Sequence, residues 1–522
     1  MIGPARLAKT GLDPTLGTLT QTAAGLAQAG RHDEAVAAWR QANRRQPGNP
    51  LVAAGLGFAL LAAERAPEAL VWLCAACQAH PRDAGLLRLQ AQALLASGLR
   101  PQAIGALLLA LELEPGSVPT YAALGIALFQ EGKADVALPY CEAAFHLAPD
   151  SANAATLSCV YIDLGRFDDA LAVTQVAGGR AGNGFEVPLN RSIALHGLGR
   201  IAESIEAARA AVAAAPDSAV AKHHLAASLL GAGELTPEAW ALYEARSGLA
   251  GMPKWPDPHR RWTGGDIAGK TVLLHAEQGF GDTLQFVRYA PLVVARGARV
   301  ILAAQSPLVR LLQGTPGVDE VVSAGAKLPS FDLYCPLLSL PGIFGTSLET
   351  IPPPLPYPTA LKVEPGSGGR LRVGLVWAGS PTFVDDRKRS ITAEALRTLS
   401  GIPGVALYGL QLGAKAQPLP DILDLMTEVQ DFADTAAAIA GLDLVIAIDT
   451  AVAHLAATMG KPVWLLSRFR GCWRWLQDRP DSPWYPSVRI YRQSTANDWD
   501  SVIVRVRQDL LLAATRPHLL AA

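Results

Sequence analysis

The sequence has little net charge, few cysteines and no long apolar run. Its 45 lysines and arginines nearly balance 46 aspartates and glutamates, for a net charge of -1 over 522 residues. This balance argues against nucleic acid as an electrostatic partner. Six cysteines scattered over such a length do not make a disulfide framework, which excludes a disulfide-stabilised secreted scaffold.

Two further absences concern membranes and export. No stretch of 18 apolar residues occurs without a charge, so we expect no transmembrane helix. The first residues, MIGPARLAKTGLDP, lack the apolar core of a signal peptide, and a cytoplasmic protein is therefore expected. Half of the residues are hydrophobic, which is enough for large cores, and the length predicts about two to four domains.

A period of 34 residues runs through the first half of the chain. Prolines, glycines and small residues each recur in this register from about residue 20 to residue 247. The recurring positions are Pro47, Pro81, Pro115, Pro149 and Pro216; Gly30, Gly98, Gly132, Gly165, Gly199 and Gly233; and Ala35, Ala69, Ala103, Ala137, Ala170, Ser204 and Ala239. The pattern resembles the tetratricopeptide repeat, in which Gly relieves the turn between two helices, Ala lets them pack closely and Pro ends the second helix.

About six to seven repeats are predicted, and the resemblance implies an all-α tetratricopeptide-repeat superhelix over residues 1–250. Such arrays present a concave surface that binds peptides or proteins. The alternative is that the array serves as a rigid spacer or as a dimerisation arm. We favour a protein partner bound through the repeats.

After residue 248 the composition changes, and strand-like apolar runs alternate with helical stretches. Residues 251–270 are predicted to be a linker. The strand-like runs lie at residues 271–275, 299–303, 320–322 and 331–334 and, beyond a proline-rich segment at 351–358, at 371–377, 405–410, 442–448 and 462–466. Alternating β and α elements predict parallel sheets with right-handed crossovers. We expect two Rossmann-like α/β lobes, residues 271–365 and 366–515, with a cleft between them and a terminal helix in the second.

The second lobe holds the most informative motif, Asp449-Thr450-Ala451-Val452-Ala453-His454. It follows an apolar strand-like run and opens a helical one, which is where open α/β sheets bind ligands and where helix N–H groups suit a phosphate. Asp449 would accept hydrogen bonds from sugar hydroxyls, Thr450 and the next amides would hold phosphate, and His454 would orient the group. Alternatively, Asp449 or Thr450 only caps the helix and His454 is a core residue.

The first lobe has a comparable strand-to-helix turn at residues 275–285. Gly279 and Gly281 allow a substrate to approach the backbone, and Asp282 lies where a carboxylate can project into the cleft. Asp282 is equally suited to capping a helix that begins near it. No third glycine stands at the dinucleotide spacing, which argues against NAD. Residues 264–271 match a P-loop but precede the strand instead of following it, so we reject that site.

Two more segments border the predicted cleft. Gly379 and Ser380 end one strand-like run and precede the charged loop 385–390, in which Lys388 and Arg389 are suited to neutralise a diphosphate. A solvated charged loop is the alternative. Aromatic residues at 473–475 and 482–486 are suited to stack on a base or sugar, or to pack between the lobes.

Three motifs in this order resemble the heptosyltransferase-like glycosyltransferases (glycosyltransferase family 9-like, GT-B). They are Gly281-Asp282-x-Leu284, Gly379-Ser380 with its basic loop, and Asp449-Thr450-Ala451-x-x-His454. The resemblance covers residues 271–515 and implies a two-lobed, inverting enzyme that uses a nucleotide-diphosphate sugar. Repeats ahead of such a half are similar in layout to the protein O-linked N-acetylglucosaminyltransferases. Ala451 stands where the family often has glycine, and the first lobe is short for the family.

The resemblance also implies roles for individual residues. Asp282 would be the general base that takes a proton from the acceptor hydroxyl. Positive charge and amide dipoles would stabilise the departing nucleotide diphosphate. The residues implied at the donor are Gly379, Ser380, Lys388, Arg389, Asp449, Thr450, Ala451 and His454, and those on the acceptor side are Gln278, Gly279, Gly281 and Gln285. No acidic metal cluster is evident in the sequence, so transfer without a metal or a cofactor is expected.

The sequence thus predicts a glycosyltransferase that moves a sugar from a nucleotide-diphosphate sugar to a glycan or protein acceptor docked by the repeats. The alternative is a non-catalytic repeat scaffold that carries a degenerate sugar-nucleotide-binding half. The joint presence of Asp282, the basic loop and Asp449 favours the enzyme.

Overall fold

The computed structural model describes residues 14–178, 184–253, 257–355, 357, 369–380, 386–413 and 422–520. The chain divides into two compact units, Met1–Ala194 and Leu195–Ala522. This division falls inside a helix, so the second unit contains the last helices of the repeat array together with all the strands. The sequence analysis placed its domain limits at residues 250, 270, 365 and 515, where the predicted type of fold changes. These limits stay predictions.

Successive pairs of helices build the array in the described part of the chain. The pairs are α1 (Pro14–Gln28) with α2 (His32–Arg45), α3 (Pro50–Ala62) with α4 (Ala66–Ala79), α5 (Ala84–Ala96) with α6 (Arg100–Leu113), α7 (Val118–Gln130) with α8 (Ala134–Leu147), α9 (Ser151–Asp163) with α10 (Phe167–Gly178), α11 (Glu186–Gly197) with α12 (Ile201–Ala214), and α13 (Ala219–Gly231) with α14 (Pro237–Tyr243).

The periodic residues explain these pairs. The recurring glycines join the two helices of a pair and have φ from +73° to +86°, the left-handed region that glycine enters without a Cβ clash. The recurring small residues, from Ala35 to Ala239, are each 0% exposed, where a larger side chain would push two helices apart. The prolines follow a second helix by two residues, as Pro47 follows α2. The predicted tetratricopeptide-like repeat array is therefore confirmed.

One pair lacks its glycine, and this allows a first prediction. Glu64 stands 34 residues after Gly30 and takes a φ of 59°, a conformation that costs a residue with a Cβ about 1–2 kcal/mol. We expect Glu64→Gly to raise the free energy of unfolding by about 1 kcal/mol, because the relieved strain exceeds the extra entropy that glycine gives the unfolded chain. Urea unfolding measures the change. Glu64→Ala keeps the Cβ and is the matched control; equal stabilisation by both variants would contradict the explanation.

The described part of the second unit contains two sheets whose strands all pair in parallel. Their strands are β1 (Thr271–His275), β2 (Arg299–Ala304), β3 (Glu320–Ser323), β4 (Leu333–Pro336), β5 (Leu371–Val376), β6 (Val405–Gly409), β7 (Ile422–Asp424), β8 (Leu444–Ile448), β9 (Val463–Ser467) and β10 (Val488–Arg492). The first sheet has the order β3-β2-β1-β4 and the second β10-β9-β8-β5-β6-β7. The predicted α/β half with parallel sheets is confirmed.

The strand order fixes where a ligand can bind. Counted from its own first strand, the second sheet runs 3-2-1-4-5-6, so its order reverses between β5 and β8. In the first sheet the order reverses between β1 and β4. Open α/β sheets bind ligands outside the carboxyl ends of the strands at such a switch point. Residues 276–282 follow β1, Gly379 follows β5 and Asp449 follows β8, so all three predicted motifs lie at carboxyl ends beside a switch point. The rejected P-loop match precedes β1, as predicted.

The helices of this half are short apart from the last one. They are α15 (Phe280–Phe286), α16 (Ala290–Val294), α17 (Val309–Leu312), α18 (Leu340–Ile343), α19 (Asp386–Arg389), α20 (Ala393–Leu396), α21 (Phe432–Ala440), α22 (Ala451–Thr458) and α23 (Trp499–Thr515). Two details correct the sequence prediction. The helix expected near Asp282 begins at Phe280, and the basic segment expected as a loop is the helix α19 where it is described.

Two large apolar cores, beside a smaller cluster around Leu273 and Ile301, hold the described part of the second unit together. One joins Trp240 of the last repeat to Val272 of β1 and Val445 of β8. The other lies on the opposite face of the second sheet and packs Leu444 of β8 against Val506 of α23. Each fully buried aliphatic side chain contributes about 1.5–3 kcal/mol. No helix in the described ranges is long and apolar enough to cross a lipid bilayer.

Candidate functional site

The turn after β1 engages both oxygens of the Asp282 carboxylate. Gly279 is the N-cap of α15, and its N–H donates to Asp282 Oδ2 at 2.9 Å. The other oxygen, Oδ1, lies 2.5 Å from Nη2 of Arg474. Asp282 is therefore not the N-cap that the sequence left open but the third helical residue, whose carboxylate accepts the N–H of the N-cap residue; this contact coexists with a buried ion pair. The side chain of Asp282 keeps 17% of its surface exposed.

Arg474 is a site residue that sequence reasoning missed. It lies in a single 3-10 turn, Trp473–Trp475, and its guanidinium stacks 4.6 Å from the centre of the Trp473 ring and 5.6 Å from that of Phe286. Burial raises the pKa of Asp282 and nearby Asp449 adds to this, while Arg474 and the Gly279 N–H oppose it. The result is a carboxylate that is oriented by the ion pair yet more basic than a solvated aspartate.

The turn after β8 leaves the start of α22 without a side-chain cap from Thr450. Thr450 is the N-cap residue, but its hydroxyl donates backwards to the Ile448 carbonyl at 3.3 Å instead of capping the helix. Ala451 is the first helical residue. The geometry therefore does not favour the alternative in which the Thr450 side chain only caps the helix.

His454 lies one turn into α22 and is buried. Its Nδ1 is 3.0 Å from the Tyr485 hydroxyl, and its Nε2 is 3.8 Å from Asp449 Oδ1. The Trp475 ring lies 4.9 Å away, centre to centre. Burial lowers the pKa of His454 to about 4; Arg474 also lowers it, and Asp449 opposes both. His454 is therefore neutral at pH 7, as both a core histidine and an orienting histidine would be.

The lowered pKa of His454 predicts how stability depends on pH. An unfolded histidine takes up its proton near pH 6.5, whereas folded His454 resists it down to about 4. The unfolded state therefore binds more protons in this window, and stability falls as the pH is lowered from 6.5 to 4. We expect this residue to contribute a loss of about 1.4 kcal/mol per pH unit there. Urea unfolding from pH 7.5 to 4.5 tests it against His454→Gln, whose pH slope should be smaller; identical slopes would contradict the assignment.

The two strand ends touch each other through Gly281 and His454. A Cβ on Gly281 would lie 2.7 Å from His454 Cδ2, which is closer than carbon atoms approach. Only glycine therefore lets the first turn of α15 rest on α22. This contact brings the turns that follow β1 and β8 together.

The end of β5 joins the same cluster through Arg389. Its Nη1 donates to the Asp449 carbonyl at 2.9 Å, and its Nε donates to the buried Asp386 at 3.1 Å. Asp386 also accepts from the Ser390 hydroxyl, which in turn accepts the Gly379 N–H at 3.1 Å. A Cβ on Gly379 would collide with the side chains of both Arg389 and Asp386. The basic segment is thus a folded part of the site where it is described, not a solvated loop.

The remaining predicted site residues differ in how far their side chains are exposed to solvent. Ser380 is exposed after Gly379, and Lys388 is half-buried on α19. Residues 381–385 between them lie outside the described part of the chain. The Gln278 carbonyl accepts from Gln305 Nε2 at 2.8 Å. Gln285 is 0% exposed, and neither atom of its amide has a hydrogen-bond partner within the described residues, so its burial does not favour the predicted acceptor contact.

A buried ion pair attaches the last repeat to the turn that carries Asp282. Arg246, in a 3-10 turn after α14, donates from Nη2 to Glu277 Oε1 at 2.8 Å; the two side chains are 0% and 4% exposed. Arg246 also donates to Ser339 at 2.8 Å and to Glu244 at 2.7 Å. Burial raises the pKa of Glu277 and Arg246 opposes this. Neither partner was predicted, since no local sequence signal distinguishes them from surface charges.

A metal site is not evident in the part of the chain that the structure describes. Those ranges contain no group of three or more His, Cys, Asp and Glu side chains placed to hold a metal ion. Metal-independent chemistry remains a prediction.

Comparisons with known proteins found a curated relative of this chain and several solved structures that resemble part of it. No family model matches the chain. The protein FlbA of Caulobacter vibrioides is 25% identical over 449 residues, covering 78% of this chain and 69% of FlbA. Since residues 1–250 are less than half of the chain, the likeness extends into the α/β half. The name FlbA states no activity.

Solved structures resemble the repeat array. A thermophilic tetratricopeptide-repeat protein of Thermus thermophilus is 22% identical with a TM-score of 0.30, covering 35% of this chain and 99% of its own. A tetratricopeptide-repeat protein from Parabacteroides merdae is 14% identical with a TM-score of 0.40, covering 46% and 95%. At these scores the assignment of the repeats rests on the helices and spacing described above.

Proposed function

We propose that this chain is an inverting, metal-independent glycosyltransferase that moves a sugar from a nucleotide-diphosphate sugar to a glycan or protein acceptor. One observation carries the proposal: the carboxyl ends of β1, β5 and β8 meet through the Gly281–His454 contact and the Arg389–Asp449 hydrogen bond. In a GT-B-type enzyme the two sheets would be the two lobes, and this meeting point would be the cleft.

Each half of the reaction has a candidate group at this point. Asp282 would remove the proton from the acceptor hydroxyl, and burial supports this by raising its pKa. The N-terminus of α22 and the guanidinium of Arg389 would stabilise the departing diphosphate. Asp449 would accept hydrogen bonds from the sugar hydroxyls. The repeat array would bind a protein acceptor or partner, which is the common use of such arrays.

A second candidate is a repeat scaffold whose α/β half has lost its activity. It is favoured by the engagement of both Asp282 oxygens, one by Gly279 and one by Arg474, because these contacts stabilise the ionised carboxylate and so oppose its protonation.

A thermal-unfolding screen separates the two candidates. The full chain is heated with uridine, guanosine, adenosine, thymidine and cytidine diphosphates and with their sugar conjugates. A ligand held only by the folded state stabilises it by about 2.7 kcal/mol at a concentration 100-fold above Kd. The proposal expects at least one nucleotide and its sugar conjugate to raise the unfolding temperature. If none does so, the scaffold is the better account.

A further inference from the structure

Tyr485 connects the aromatic loop to the predicted donor motif. Its side chain is 0% exposed, and its hydroxyl lies 3.0 Å from Nδ1 of His454. The sequence suggested stacking on a substrate or packing between lobes for this loop. A fully buried ring offers no face to a substrate, so a specific role falls to the hydroxyl, which faces His454 and also interacts with the side chains of Thr458 and Arg288.

The direction of this hydrogen bond follows from what each group can donate. Burial raises the pKa of Tyr485, which therefore keeps its O–H, and His454 is neutral and carries one N–H. On the other side of the ring, Nε2 faces the Asp449 carboxylate, which can only accept. The proton of His454 is favoured on Nε2, where it points at negative charge. Nδ1 then accepts, and the Tyr485 hydroxyl donates.

The neighbours prevent either ring from turning away. The Arg288 guanidinium lies 4.6 Å from the centre of the Tyr485 ring and is itself fixed by the carbonyls of Trp484 and Gln285, both at 2.7 Å. Gly281 and the Trp475 ring confine the imidazole from two further sides. The positive charges of Arg288 and Arg474 near His454 also disfavour a second proton on the ring.

We infer that Tyr485 is a positioning residue that holds His454 in the tautomer with its proton on Nε2, directed at the carboxylate of Asp449. The neutral N–H turns that carboxylate towards the position where sugar hydroxyls would bind. This last consequence rests on the proposed function; the tautomer itself does not. The general rule is that the partner of one imidazole nitrogen decides what the other nitrogen presents.

Nuclear magnetic resonance of the full chain labelled with ¹⁵N-histidine tests the tautomer. The His454 signals are assigned by their loss in His454→Gln. We expect an unprotonated Nδ1 and a protonated Nε2 in the native chain, and a mixture of both tautomers in Tyr485→Phe. Tyr491→Phe is the matched control, because Tyr491 is also a buried tyrosine of this unit but its hydroxyl donates to Asp509 at 2.8 Å. A proton on Nδ1 in the native chain, or an unchanged tautomer in Tyr485→Phe, overturns the inference.

Titration calorimetry then tests the consequence for binding. With the nucleotide sugar that stabilises the chain most, Tyr485→Phe should weaken affinity about tenfold while leaving affinity for the matching nucleotide diphosphate unchanged. An equal loss for both ligands indicates a merely structural role and overturns the positioning role. If the native chain binds no nucleotide sugar, the proposed function fails, and the resonance measurement still decides the tautomer.

Discussion

Arg246→Ala is expected to lower the free energy of unfolding of the second unit by about 3–5 kcal/mol, the usual cost of leaving one partner of a buried ion pair alone. Arg246 is fully buried and Glu277 nearly so, and removing the guanidinium strands the carboxylate without a counter-charge. The loss should appear in urea unfolding monitored by tryptophan fluorescence, since Trp240, Trp473 and Trp484 lie in the core of that unit.

Two comparisons make the Arg246 result specific. Arg299→Ala breaks the exposed pair with Glu320, whose side chains are 53% and 39% exposed, and should cost no more than about 1 kcal/mol. Arg246→Ala combined with Glu277→Gln should recover part of the loss, because a neutral amide needs no counter-charge. A double variant no more stable than the single one would show that the loss comes from packing alone.

The same prediction has a pH dependence with a definite sign. In Arg246→Ala the folded pKa of Glu277, already raised by burial, should rise further above the unfolded value of about 4.5, because the opposing charge is gone. Below a pH of about 4.5 the Glu277 carboxyl is protonated in the folded and in the unfolded state, so its ionisation no longer opposes folding. The deficit relative to the native chain should therefore shrink as the pH falls from 7 to 4.5. A deficit that grows on acidification would contradict this cause.

Asp282→Asn is expected to reduce kcat by about 10²–10⁴-fold, the range by which a positioned general base accelerates a reaction. Asparagine keeps the shape and an acceptor for the Gly279 N–H but cannot take up a proton. The measurement is release of nucleotide diphosphate from the sugar donor that stabilises the chain most. Unchanged affinity for the nucleotide diphosphate would show that the variant is folded, and native turnover would refute the role of Asp282.

Asp449→Asn should give a different pattern of loss. If Asp449 contacts the sugar, its replacement weakens binding of the nucleotide sugar more than binding of the nucleotide diphosphate alone. Glu320→Gln is the control for charge removal, since Glu320 lies on β3 in an exposed ion pair. A variant of Asp449 that loses affinity for both ligands equally would place the residue at the diphosphate instead.

Periodicity made the fold readable from the sequence. The glycine, alanine and proline registers predicted the helix pairs, and apolar runs predicted eight of the strands now numbered β1 to β10. The two strands that were missed have weak signals. β7 is only three residues long, and β10, at the edge of its sheet, has two arginines among its five residues, which break the apolar run. β4 begins at Leu333, two residues later than the run at 331–334 suggested.

Only part of the candidate site could be predicted from the sequence. Asp282, Arg389 and His454 lie in the short helices that follow β1, β5 and β8, a position that local sequence can indicate. The residues that pair with them do not lie at positions of this kind. Arg474 and Tyr485 reach the site from loops far along the chain. The sequence of those loops does not predict which residue each side chain contacts. A pairing of this kind depends on tertiary packing, which one sequence without relatives does not encode in a readable form.

The most direct test is the position of a bound ligand in a crystal structure of the full chain with the nucleotide sugar that stabilises it most. We predict the diphosphate at the N-terminus of α22, beside Gly379 and Arg389, with the sugar within hydrogen-bond distance of Asp449 and facing Asp282. A nucleotide sugar bound elsewhere in the second unit, or along the repeat array, would contradict the proposed site.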